Sequence, residues 1–134
     1  MPQTLSRTDD LVINRLVPFR EKIVNTLREK HPQTFKIIEA VLAGQDNKVG
    51  MQVLEGGRVA GEYTFNLQGI RIERTDAGRL DSGIHHPFLG LVKPYFILES
   101  STIERFLGDE ASILADPFAA AGKYFPDITI KFLK

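Results

Sequence analysis

None of the 134 residues is a cysteine, and histidine occurs only three times. Without cysteine there are no disulfides, no thiolate zinc or iron–sulfur sites and no cysteine nucleophile. A reducing, cytoplasmic setting is the corresponding expectation. Net charge is lacking too, since 17 basic residues balance 17 acidic ones. Nucleic-acid binding draws its affinity from phosphate neutralisation by a basic surface, so no nucleic-acid partner is expected. No apolar run approaches the roughly 18 residues that span a bilayer. The first ten residues, Met1 to Asp10, contain no apolar signal core.

What is present fits one domain over residues 1–134, with 1–8 polar and frayed. A chain of this length buries about two thirds of its unfolded surface, enough for a core without staples. Asp9 or Asp10 can cap a first helix with Ile13, Leu16, Val17, Ile23, Val24 and Leu27 at near-helical spacing. Pro18 predicts a kink or a fresh start within it. His31-Pro32 ends this stretch, and Pro32 opens a second helix carrying Phe35, Ile38, Val41 and Leu42, stopped at Gly44.

From Lys48 the period changes to two. Val49, Met51 and Val53 form one alternating set, Tyr63, Phe65 and Leu67 the next, and Ile70–Glu73 a third. Gly56-Gly57, Gln68-Gly69 and Asp76-Ala77-Gly78 supply the turns, which predicts an antiparallel meander with one buried face. Tyr95–Leu98 reads as another strand. Ser101-Thr102-Ile103-Glu104 has the spacing of a capping box, and Asp116-Pro117 the signature of a second helix start. Ile128–Phe132 alternates cleanly and predicts a final strand. The fold class is therefore α+β, a helical N-terminus followed by a meander, further strands and helices, and a C-terminal strand.

No catalytic residue and no metal ligand emerges. His85 and His86 are adjacent, and on extended chain they point to opposite faces, so they do not readily share a metal. Asp81-Ser82-Gly83-Ile84-His85 holds the residue types of a nucleophilic triad without the strained Gly-x-Ser-x-Gly elbow, and a Ser-Gly turn explains it better. Gly56, Gly57 and Gly61 lack the strand, loop and helix context of a phosphate cradle. The stretch Pro87–Pro94 is strongly apolar. It reads either as a satellite of the core or as a flap, membrane contact or partner surface.

The order of parts resembles the sterol carrier protein 2 (SCP-2-like) domain family over roughly residues 48–134. Gly61-Glu62-Tyr63-Thr64-Phe65-Asn66-Leu67 is similar to that family's Gly-x-Trp-Thr-x-Asp-Leu strand, with Tyr63 and Asn66 in place of tryptophan and aspartate. Pro117-Phe118-Ala119-Ala120-Ala121-Gly122-Lys123 is similar to its junction between helix and last strand. The resemblance implies an α+β fold with a roughly five-stranded, mainly antiparallel sheet packed by helices on one face. It also implies a tunnel between the layers that binds and transports fatty acyl chains, sterols or other lipids, without enzymatic activity and without a cofactor.

On that reading the ligand is surrounded by Met51, Val53, Tyr63, Phe65 and Leu67 of the meander, Phe88 and Leu91 of the connector, and Phe106 and Phe118 of the late helices. The same residues would equally make a filled core. Tyr63 could offer a hydroxyl to a head group. Two alternatives stay open: an interaction module that forms a homodimer or docks a partner through residues 87–94, and a small enzyme using Tyr63, His85 or His86. Transient membrane contact is compatible with the lipid-carrier reading.

Overall fold

A computed structural model describes residues 6–42, 46–86, 88 and 90–133; the expected stop at Gly44 lies outside them. The chain opens as one uninterrupted helical run: α1 (Arg7–Asp9), a π-helical stretch (Asp10–Leu16) and α2 (Val17–Lys30). Ser6 is the cap, in place of Asp9 or Asp10, its Oγ accepting the Asp9 N–H at 3.0 Å. Thr8 is buried, so the expected fraying does not reach residues 6–8.

Pro18 does not restart the helix. It falls in the first turn of α2, and the preceding backbone widens so that the Val17 N–H reaches back to the Val12 carbonyl. A wider turn relieves the clash that a proline ring makes with the carbonyl four residues earlier. The widening also sets which residues face the protein. Leu11 and Val12 are buried, and Leu16 and Val17, five residues on, turn to the same side, whereas exposed Arg15 would occupy that side at α-helical spacing. Helix α3 (Pro32–Leu42) follows, with Phe35 buried beneath the Arg28 guanidinium.

Strands β1 (Asp46–Glu55), β2 (Arg58–Gln68) and β3 (Arg71–Ala77) make the expected meander. Gly56 and Gly57 sit at φ +58° and +81° in the first turn, a conformation that favours glycine at both positions of a two-residue hairpin loop. Strand β6 (Pro94–Glu99) pairs parallel to β1, and β7 (Thr129–Phe132) antiparallel to β6. The sheet order is β3-β2-β1-β6-β7, mainly antiparallel with one parallel pair at its centre.

Val49, Met51, Val53, Tyr63, Phe65, Phe96 and Leu98 share the inner face, toward the helices. The outer face is crossed by Arg79–Gly83. Thr64 Oγ1 donates to the Arg79 carbonyl and accepts the Asp81 N–H, both at 2.9 Å. Gly50, opposite Thr64, gives this crossing its room. A Cβ there would lie 2.8 Å from Tyr95 Cβ and 3.0 Å from Leu80 Cδ2. Asp81 pairs with Arg79 and Lys48, which hold its carboxyl below the usual range, and Gly83 bridges to Lys48. The triad-like motif therefore fastens the crossing.

Strands β4 (Ile84–His86) and β5 (Gly90–Val92) form a separate hairpin, with Pro87 and Leu89 of the apolar connector outside the described residues. Helices α4 (Ser100–Gly108), α5 (Glu110–Ala115) and α6 (Pro117–Tyr124) return over the inner face. The capping box does not form. Helix α4 begins two residues early, Glu99 caps it without a side-chain bond, and Glu104 pairs with Arg7 at 2.9 Å. Asp116 does cap α6, accepting the Ala119 N–H at 3.2 Å. One core cluster joins sheet to helix through Leu11, Val12, Met51, Val53, Tyr63 and Ile103. A second, of Phe19, Ile113, Ala120 and Tyr124, lies between helices.

Candidate functional site

The inner face of the sheet is covered unevenly. At the β1–β2 turn end it is solid: Val53 and Tyr63 have no exposed surface and pack on Leu11, Val12 and Ile103. At the other end the helices stand off and leave two neighbouring apolar cavities. The larger, about 370 Å³, has a floor of Val49, Phe65, Leu67, Ile72 and Phe96 and a roof of Leu16, Val17, Arg20, Ile23 and Phe106. The smaller, about 190 Å³, lies between Met51, Phe96 and Leu98 below and Leu16, Thr102, Ile103, Phe106, Tyr124 and Ile128 above. Leu16, Phe96 and Phe106 belong to both linings, so these side chains are the partition between them.

Phe106 holds its place in that partition by two aromatic contacts. Its centroid is 5.3 Å from Phe19 and 5.2 Å from Tyr124, the latter edge-on at 88°. The Tyr124 hydroxyl donates to the Asp109 carboxylate at 3.1 Å, and Lys123 meets the same oxygen at 3.0 Å. Lys123 and this hydroxyl hold the Asp109 carboxyl below its ordinary range, while burial and Asp109 push the phenol up. The α5–α6 end of the roof is thus fixed by a polar clamp outside the cavity.

Among the described residues, Arg20 is the one charged residue in either lining. Its Nη2 donates to the Ile70 carbonyl, in the β2–β3 turn, at 2.6 Å. Its Nη1 lies 3.6 Å from the Glu21 carboxylate, and this buried nitrogen has no hydrogen-bond partner among the described residues. Burial draws the guanidinium pKa down and Glu21 opposes that shift. An arginine keeps its charge regardless, so a cation faces an otherwise apolar space.

Of the expected lining, Met51, Phe65, Leu67 and Phe106 do surround these cavities. The other five do not. Val53 and Tyr63 are in the solid core, because the first helix descends onto that end of the sheet. The Tyr63 hydroxyl is spent on Asp9, at 2.6 Å, and is not available to a head group. Phe88, 91% exposed, and Leu91 belong to the β4–β5 hairpin and are not among the described residues that line either cavity. Phe118 is exposed on α6, edge-on to His31.

Sequence reasoning missed the wall made by Leu16, Val17, Arg20 and Ile23. Its signal was a charge within an apolar stripe, since positions 16, 20 and 23 fall on one helical face. His85 and His86 lie on β4, opposite Leu91 and Gly90. Among the described residues no three carboxylates or histidines converge to hold a metal, and no helix is long and apolar enough to cross a membrane. No protein-family model matches the chain, and no curated protein matches it. The sterol-carrier resemblance rests on the motifs and order of elements given above.

Proposed function

We propose that this protein binds and carries an apolar, lipid-like small molecule in the space between its sheet and helices, without transforming it. The observation that carries this reading is the larger cavity. Its volume of about 370 Å³ falls within the roughly 300–1,000 Å³ typical of small-molecule sites. Its lining is aliphatic and aromatic apart from Arg20.

Binding strength needs no special chemistry here. Each methylene moved from water into such a lining contributes about 0.8 kcal/mol, so a dozen outweigh an association cost of roughly 4 kcal/mol or more. Conversely, empty apolar volume in a closed core costs about 24 cal/mol per Å³. A ligand should therefore raise thermal stability. At a free concentration a hundred times Kd the gain is about 2.7 kcal/mol, or on the order of 10 °C in Tm.

Native mass spectrometry of the purified protein, with organic extraction, is expected to reveal a co-purifying acyl, sterol or similar adduct. After delipidation the protein should take up a fluorescent acyl probe. Val49→Trp, which puts an indole into the larger cavity, should reduce that uptake at least tenfold while the protein stays folded by circular dichroism. A protein that carries nothing, and takes up no probe after delipidation, would refute the carrier reading. The second reading, association through the β4–β5 hairpin, is favoured by the exposure of Phe88 and Leu91. Its mark would be concentration-dependent sedimentation lost in Phe88→Ser.

A further inference from the structure

The one charged lining residue separates two classes of apolar ligand. Arg20 is held by its Nη2 bond to the Ile70 carbonyl, so its guanidinium keeps a fixed direction at the cavity. Its Nη1 is buried yet makes no hydrogen bond among the described residues. Glu21, at 3.6 Å, offsets the charge but stands beyond hydrogen-bond range. A buried donor left without an acceptor is unfavourable, and a buried charge calls for an anion that also bonds to it. A neutral lipid such as a sterol or a triglyceride cannot supply that anion.

We propose that Arg20 is a head-group site, with Glu21 as its resting counter-ion, and that the preferred ligand is a long-chain carboxylic acid whose carboxylate bonds the guanidinium on its cavity side while its tail fills the apolar cavity. Arginine suits this role because its N–H groups match carboxylate geometry and it stays protonated in partly desolvated surroundings. Among the described residues, no other charge in the linings competes for the acid. The inference rests on the cavity being a ligand site, and the test below separates the two claims.

The delipidated full chain is titrated with dodecanoic acid and with dodecan-1-ol, each displacing a fluorescent apolar probe. The acid is expected to bind about ten- to a hundredfold more tightly, as one charge-assisted hydrogen bond allows. Arg20→Met should abolish this preference, the acid losing at least about tenfold more affinity than the alcohol. Glu21→Gln should tighten acid binding alone. Equal affinity for acid and alcohol in the parent protein overturns the head-group assignment and leaves the carrier reading standing. So does a parallel loss of both ligands in Arg20→Met, which would mark Arg20 as merely structural. Uptake of neither ligand by the parent overturns both claims.

Discussion

Replacing Tyr63 by alanine should cost about 3–5 kcal/mol, a large share of the roughly 5–15 kcal/mol that holds a domain of this kind folded. The ring has no exposed surface and sits where β2, β1 and the first helix meet, against Leu11, Val12, Met51, Val53 and Ile103. It also covers Gly61, where a Cβ would lie 2.5 Å from the hydroxyl, and that glycine has no side chain to fill the void. Urea denaturation measures the loss. A cost below about 1 kcal/mol would mean that the site collapses freely, contrary to this packing.

Tyr63→Phe isolates the hydroxyl. It keeps the ring and removes the 2.6 Å bond to Asp9, a bond to a charged acceptor worth about 1.5–3 kcal/mol. This variant should also change the pH dependence. Burial, then the bond to Asp9 and its charge, raise the Tyr63 phenol well above its usual value. The unfolded chain releases that proton near pH 10, whereas the folded chain retains it. The phenol's contribution is therefore complete below about pH 10 and falls away as pH rises beyond it. In Tyr63→Phe the decline in urea midpoint between pH 9 and 11 should be shallower. Tyr124, whose phenol is also raised, supplies part of what remains.

Phe106→Ala should have a comparable effect on stability, about 3–5 kcal/mol, and a larger one on ligand choice. Its ring shares the partition between the two cavities with Leu16 and Phe96, and it contacts both Phe19 and Tyr124. Without it the spaces of about 190 and 370 Å³ join. A longer or bulkier apolar ligand would then refill the void, recovering in the complex part of what the free protein loses. Probe displacement across acyl chains of increasing length measures this, and the optimum is expected to move to longer chains. An unchanged optimum would show that the partition does not limit the ligand.

The sequence was informative where one residue type answers to one physical demand. Gly56-Gly57 gave the turn, Asp116-Pro117 a helix start, and the alternations from Val49 to Leu67 two strands with their inner faces. It was silent on direction, because alternation looks the same in parallel and antiparallel strands. The parallel pairing of β6 with β1 could not be read from Tyr95–Leu98. Ser101 and Glu104 had the right spacing for a cap, yet Arg7, 97 positions away in the sequence, claimed the glutamate. The candidate site was legible only by half. Phe65 and Leu67 were found by period, but Val53 and Tyr63 carry the same period and are solid core. What divides them is the depth to which the first helix docks, a tertiary property that no local pattern records.

The widened turn in that first helix bears on which sequence changes the protein can absorb. An α-helix advances about 100° per residue, so deleting one residue between Val17 and Lys30 would swing one flank away from the cavity. A π-turn is already one residue longer than its α-helical equivalent. Deleting Arg15 would let Asp10–Leu16 tighten toward ordinary pitch, keeping Leu11 and Val12 in phase with the next apolar pair, although the Pro18 ring would then meet the carbonyl four residues before it. The helix thus carries its own spare position. A deletion scan read by thermal unfolding should find Arg15 better tolerated than the positions in α2, and a scan in which Arg15 ranks with the deletions in α2 would count against it.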